Sequence, residues 1–420
     1  MAQPGDQILV GDGRHRRIVT LGHAWPSTGE GQVFRLVNEP GIVKLYRTPT
    51  VERAEKLQAM LTRPCPMEGT DVVAIWPQEL AYAVQGSASV IGFGMELAGG
   101  AESVYSLMMP HRRPRWATDA KLLQFAACMA RRMAIIHAAG YVVADVHDRN
   151  VVSAGRQNRQ PVFIDADSFQ FRVGSRVFRC EVGQVEYRPP EFQLPQSRTL
   201  EHTVASDCFG LGVLIFRLLA DGLHPFSAIY QGVGHRAGMQ ERIAQGIWPY
   251  GARCPREYQP KPECPSLDWM PPPVVELFRR CFEDGHADPA ARPTPGEWEA
   301  ALTDAAKDAG RWRKARPRPQ AVHVYQQAGR GQSWLGIPRG WFRGRGNRQG
   351  RTVRRSQRKR VTLKTVLAVI ILSLLLGPTI RDQVEREWER MVTAVFYGGD
   401  YLEWEVEWTF QRLRRGLGGD

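Results

Sequence analysis

No Cys-x-x-Cys pair occurs in the 420 residues, and the seven cysteines, Cys65, Cys128, Cys180, Cys208, Cys254, Cys264 and Cys281, are odd in number and scattered. Such spacing argues against a disulfide framework, and a zinc site on Cys254 and Cys264 lacks the paired ligands that such sites use. The opening Met-Ala-Gln-Pro-Gly-Asp-Gln holds no apolar core, so no cleaved signal peptide is expected. Acidic residues are missing altogether from residues 311–360, which are rich in Arg; this tract carries the excess behind the formal net charge of +13, and the stretch before it is close to neutral. The charge therefore belongs to a tract and not to the main domain. Long apolar runs are also missing, with one exception near the C-terminus. What remains is a globular composition, 43% apolar and 24% charged, with material for a sizeable core. The length suits one large two-lobed domain plus an appendage.

The most informative stretch is Val-Val-Ala-Asp-Val-His-Asp-Arg-Asn-Val-Val, residues 142–152, followed by Val-Phe-Ile-Asp-Ala-Asp-Ser-Phe-Gln, residues 162–170. Each is a short apolar run that delivers a carboxylate to its end. Asp145 and Asn150 stand in the spacing D-x-x-x-x-N, and Asp165 arrives on the next run. One carboxylate can accept a hydroxyl proton, while an amide oxygen and a second carboxylate are hard ligands suited to Mg²⁺. That combination is the equipment of phosphoryl transfer.

These residues resemble the catalytic loop and metal-binding segment of the eukaryotic-type protein kinase family, and in particular a bacterial branch in which I-D-x-D-S-F-Q stands where most members have D-F-G. Further anchors appear in the family's order over roughly residues 15–305: the lead-in His137-Ala-Ala-Gly-Tyr, the segment Gly183-Gln-Val-Glu-Tyr-Arg-Pro-Pro-Glu191, the helix starting at Ser206-Asp207, and Arg292 in Asp-Pro-Ala-Ala-Arg-Pro. The resemblance implies a two-lobed α+β fold with a small N-terminal β-sheet lobe and a larger helical C-terminal lobe. It implies that Asp145 is the catalytic base and that Asn150 and Asp165 hold Mg²⁺ (or Mn²⁺), with Asp167 as the second choice of metal ligand. ATP would be held by the glycine turn at Gly29 and Gly31 and by Lys44. Glu55, preferred over Glu52 because it directly precedes the apolar stripe of residues 57–61, would pair with Lys44, and the backbone from Glu96 to Ala98 would hydrogen-bond adenine. Asp207 would brace the catalytic loop, whereas by residue type Ser206 or Asp207 would cap its helix. Glu191 and Arg292 would form a buried ion pair.

The sequence also departs from the family. Val143 and Ala144 stand where His and Arg usually precede the catalytic Asp, His147 replaces a lysine, and Thr28 stands in the eroded glycine loop. Two functional classes follow: a Ser/Thr protein kinase acting on a protein substrate, or a pseudokinase that keeps the fold as a nucleotide-binding membrane scaffold. The complete set Lys44, Asp145, Asn150 and Asp165 favours the enzyme.

Beyond the domain at 15–305, residues 306–360 form a basic Arg/Gly/Pro-rich linker that cannot bury a core and is expected to be disordered. Residues 361–380 make an apolar run of about the twenty residues needed to cross a membrane as a helix. Residues 381–420 form a short acidic, Trp-rich tail. The positive-inside rule places the domain in the cytoplasm and the tail outside it, with the basic linker against anionic lipid. Nucleic acid is the less favoured partner of that linker, and the residues carry no sign of oligomeric state.

Overall fold

The computed structural model describes residues 2–12, 15–27, 29–84, 89–98, 101–155, 159–193 and 200–311. Two lobes meet at a cleft. The first is built from β1 (Gln7–Gly11), β2 (Arg16–Ala24), β3 (Gly31–Leu36), β4 (Ile42–Tyr46), α1 (Val51–Leu61), β5 (Pro77–Ala83) and β6 (Val90–Met95). Its six strands close into an antiparallel barrel in the order β1-β2-β3-β4-β6-β5, with β5 returning to pair with β1. Closure brings β1, which lies before residue 15, into the same barrel. Ile8 and Val10 of β1 are buried together with Val19, Leu21, Phe34, Val43 and Leu45, so β1 is part of the core.

Strand β4 is buried along its whole length, Ile42 to Tyr46. Alternation explains how a lysine survives there: Val43 and Leu45 fill the barrel, and Ile42, Lys44 and Tyr46 share the opposite face. Close strand approach fixes two glycines. A Cβ on Gly31 would lie 2.2 Å from the Leu45 carbonyl oxygen, and one on Gly92 would lie 2.0 Å from that of Lys44.

The second lobe contains α2 (Asp119–Ala138), the hairpin β7 (Val151–Ala154) and β8 (Gln160–Phe163), α3 (Val204–Leu219), α4 (Pro272–Arg279) and α5 (Pro295–Lys307). Helix α2 starts at Thr118, whose side chain accepts from the Lys121 N–H, and stops before Gly140, which takes φ +81°. Its core gathers Met129, Met133, Phe209, Phe216, Phe278, Phe282 and Trp298. Helix α3 is capped by Thr203, not by Ser206 or Asp207, because Thr203 and Ser206 exchange bonds in a capping box. Asp207 is thereby free for another task.

Among the described residues no helix is long and apolar enough to cross a membrane. Thr28, Gly99, Gly100, most of the basic linker, the apolar run 361–380 and the tail 381–420 lie outside the described residues.

His224 is buried, and its Nε2 lies 2.9 Å from the Glu186 carbonyl oxygen while its Nδ1 accepts from Phe226 N–H. Burial, with Arg217 adding to it, pushes its pKa down to about 3. Below an unfolded-state value of about 6.5 the unfolded chain takes up a proton that the folded chain refuses. The contribution is complete above that pH and is lost as the pH falls toward 3, at up to about 1.4 kcal/mol per pH unit. Urea unfolding of wild type and His224→Gln from pH 7.5 to 4.5 should show the stability gap narrowing in acid. A gap that does not change with pH would contradict the assignment.

Candidate functional site

The hairpin β7–β8 explains why the two acidic stretches meet. Its register pairs Val151 with Phe163, and Ile164 N–H donates to the Asn150 carbonyl at 2.9 Å. The loop before β7 and the turn after β8 therefore emerge side by side at the cleft.

The loop is held from below by Asp207. Its carboxylate accepts from Val143 N–H at 2.7 Å and Ala144 N–H at 2.8 Å, and the His137 Nε2 lies 2.8 Å from it. Ala144 has φ +64°, a left-handed conformation rare for alanine, and Asp165 has φ +57°. Each costs on the order of 1–3 kcal/mol unless its surroundings enforce it, and at Ala144 the Asp207 clamp does so. Asp145 follows immediately. Its Oδ2 accepts from Asn150 Nδ2 at 3.0 Å and faces His147 Nε2 at 3.3 Å. His147 Nδ1 accepts from Arg149 N–H, which leaves Nε2 to face Asp145. The other oxygen, Oδ1, is buried and has no hydrogen-bond partner in the protein.

Across the cleft Lys44 Nζ donates to both oxygens of Asp167, at 3.0 and 2.9 Å, and Tyr46 Oη donates to Asp167 Oδ2 at 3.0 Å. Asp165 Oδ1 lies 3.6 Å from the same ammonium, and Glu30 Oε2 lies 3.8 Å from it. Burial opposes the charge on Lys44, but Asp167, Asp165 and Glu30 outweigh it and hold its pKa above the usual lysine range. Burial likewise pushes Asp167 up, yet Lys44 and the Tyr46 hydroxyl hold it below the usual carboxylate range. Both members of this pair are charged. Asp165 is raised instead, by burial and by the neighbouring Asp167 and Asp145, with Lys44 opposing.

Two sequence expectations change here. Glu55 does not reach Lys44; it pairs at the surface with Arg176. The reason is helical phase: Leu57 and Met60 face the core, and Lys56, four residues before Met60, shares that face while Glu55 does not. Buried Lys56 donates to the Arg179 carbonyl at 3.0 Å. Asp167, the second choice as metal ligand, supplies the carboxylate that Lys44 uses. Asp165 is left with 37% of its side chain exposed. Glu30, between Gly29 and Gly31, was missed by sequence reasoning; besides facing Lys44 it pairs with Arg53 at 3.1 Å.

Of the remaining predicted positions, Gly29 is exposed, with open space where a side chain would be, whereas Gly31 serves the β3–β4 contact. Glu96 is exposed and accepts from Gln78 Nε2 at 3.1 Å, and Ala98 is partly buried beyond the end of β6. Glu191 and Arg292 form the expected pair, at 2.8 and 2.7 Å, with the guanidinium fully buried. Stranding one member of such a pair costs about 3–5 kcal/mol.

Among the described residues no three His, Cys, Asp or Glu side chains form a ready-made metal cluster. The donors present are nevertheless of the right kind for Mg²⁺. Asp165 offers a carboxylate crowded by two other acids, and Asn150 turns its N–H₂ group to Asp145, leaving an amide oxygen as a hard ligand. Mg²⁺ commonly uses one or two protein oxygens and completes its shell with water and phosphate.

No family model matches the chain. Over 316 residues, 73% of its length, it is 34% identical to the protein kinase YegI of Escherichia coli O157:H7 and 33% identical to the protein kinase YegI of Escherichia coli strain K12. The match covers 47% of each, so the chain spans about half the length of the curated relatives it matches. This similarity, with the two-lobed fold, supports a protein-kinase family for the chain.

Asp167→Asn should destabilise the protein by about 3 kcal/mol, the low end for a broken buried pair, because Asp165 and Glu30 remain within 4.0 Å of Lys44. Glu55→Gln, at an exposed pair, should stay within about 0.5 kcal/mol of wild type. Denaturant unfolding of both variants checks the ranking, and a larger loss at Glu55 would reverse it.

Proposed function

We propose that the chain is an ATP-dependent protein kinase that transfers the γ-phosphate of Mg·ATP to a Ser or Thr hydroxyl of a protein. The observation that supports this best is the convergence of four groups with three different roles. Lys44 is an ammonium held charged by Asp167, Asp165 and Asn150 offer hard oxygen ligands, and Asp145 is a carboxylate with one oriented and one unpartnered oxygen.

Lys44 would bind the phosphates of ATP, aided by backbone N–H groups of the turn at Gly29. Asp165 and Asn150 would hold Mg²⁺ or Mn²⁺, which neutralises phosphate charge when bound. Asn150 and His147 fix Asp145 Oδ2, leaving Oδ1 to orient the acceptor hydroxyl and take its proton. General-base help of this kind contributes about 10²–10⁴ in rate. The attacking oxygen forms its bond to the γ-phosphorus as the bond to the β–γ bridging oxygen breaks, and ADP leaves.

Glu30 favours a second reading. Its carboxylate stands beside Lys44, where phosphates would have to enter, as in a nucleotide-binding scaffold whose bound phosphates are poorly placed for transfer. The full chain, incubated with γ-labelled ATP, Mg²⁺ and generic protein substrates, should transfer label to Ser or Thr. Asp145→Asn should lower transfer at least 100-fold while sparing ATP binding, and chelation of Mg²⁺ should stop it. Nucleotide binding without transfer would favour the scaffold.

We further propose that residues 361–380 anchor the protein in a membrane, with the basic linker on anionic lipid and the kinase domain cytoplasmic. The support is the single apolar run and the basic flank on its N-terminal side. Membrane fractions should retain the full chain through alkaline washing, and release into the wash would count against the anchor.

A further inference from the structure

Beside Asp145 lies a cavity whose wall includes Ala144, Gln184, Arg188, His202 and Ser206. Three of its buried polar atoms have no hydrogen-bond partner in the protein: Asp145 Oδ1, Arg188 Nε and His202 Nδ1. Asp145 Oδ1 is accounted for by the acceptor hydroxyl. The other two are not, and they belong to side chains that the fold places with care.

His202 is 7% exposed and stacks on Phe192 with centroids 4.4 Å apart. Its backbone is gripped on both sides by Gln170, which donates to the His202 carbonyl at 2.7 Å and accepts from its N–H at 3.1 Å. Arg188 lies over Gly183. A Cβ there would sit 2.8 Å from Arg188 Nε and 3.0 Å from Nη2, so only glycine leaves room for the guanidinium in this position. Among the described residues no carboxylate pairs with Arg188. Its neighbours are tied down instead: Gln193 donates to the carbonyls of Val185 and Arg188, and Tyr187 meets Arg217, which pairs with Asp148 at 3.1 Å. Ala144, with only a methyl group, lines the cavity beside Asp145.

A guanidinium has donors only. Left unpaired and partly desolvated it is costly, and an anionic acceptor relieves that cost more strongly than a neutral one. An acceptor residue reaching Asp145 Oδ1 brings its neighbours along the peptide to this wall. We propose that Arg188, with His202 beside it, is a recognition site for an anionic side chain flanking the acceptor hydroxyl, so that the substrates are acidic or already phosphorylated peptide segments. The proposal rests on the kinase reading for its meaning, but its binding test does not depend on transfer.

Four labelled peptides would be identical except that both neighbours of a single serine are glutamate, phosphothreonine, glutamine or lysine. Binding to the full chain, followed by anisotropy without ATP, should be at least about tenfold tighter for glutamate, phosphothreonine or both than for glutamine, as expected for one charge-assisted bond. A preference for phosphothreonine alone assigns the anion to a phosphate, and a preference for both assigns it to any acid. Equal binding of all four, or tightest binding of the lysine peptide, overturns the proposal even if no variant folds. Arg188→Gln should remove the preference, and Arg188→Glu should shift it to the lysine peptide, a reversal that mere loss of packing would not produce. Anionic preference in binding without label transfer to any peptide would uphold the site and overturn the kinase reading.

Discussion

The ion pair between Lys44 and Asp167 is the constraint on which the cleft depends. Lys44 sits on a strand buried along both faces, and an ammonium in that position has no water to solvate it. Asp167, from the second lobe, meets it with two hydrogen bonds, and Tyr46 takes up a further lone pair. Neither charge is tolerable without the other, so the barrel and the helical lobe are tied at the point where chemistry would occur. The usual arrangement in the family, a lysine held by a glutamate of the first helix, is absent here because that helix turns Lys56 inward. The lysine is instead held by the same segment that carries Asp165. Its position is thereby linked to that segment and not to the orientation of α1.

A second clamp serves the other side of the cleft. One buried carboxylate, Asp207, accepts from two successive backbone N–H groups and from His137, and so stabilises the left-handed Ala144. The clamp leaves the side chain of Asp145 for other use, where Asn150 and His147 fix one of its oxygens. Farther out, Arg292 with Glu191, and Arg217 with Asp148 and Tyr187, tie the segment around residues 183–191 to the helical lobe.

Legibility in the sequence followed locality. The meeting of residues 142–152 with Asp165 and the contacts of Asp207, Glu191 and Arg292 were readable, since each is carried by a short ordered motif whose parts lie on predictable elements. Glu55 was misread because choosing between adjacent helical positions requires the phase of the helix, and the apolar stripe admits Lys56 only if a buried lysine is allowed. The choice between Asp165 and Asp167 depended on which carboxylate the turn after β8 aims across the cleft, which no local pattern encodes. Barrel closure by β1 rests on pairing with a strand some seventy residues away. The cap at Thr203 was visible as a Thr-x-x-Ser spacing, but Asp207 drew attention from it. Glu30 offered a signal too, an acid placed between two glycines of a turn expected to meet phosphate.

The central claim is that Asp167 holds Lys44 while Asp165 and Asn150 serve the metal, a division of labour between two carboxylates two residues apart. A structure of the full chain with Mg²⁺ and a non-hydrolysable ATP analogue tests it most directly. The expected result has the metal on Asp165 and Asn150, the phosphates at Lys44, Glu30 displaced, and the bond from Lys44 to Asp167 kept. Metal on Asp167 with Lys44 released, or nucleotide bound away from this cleft, would contradict it.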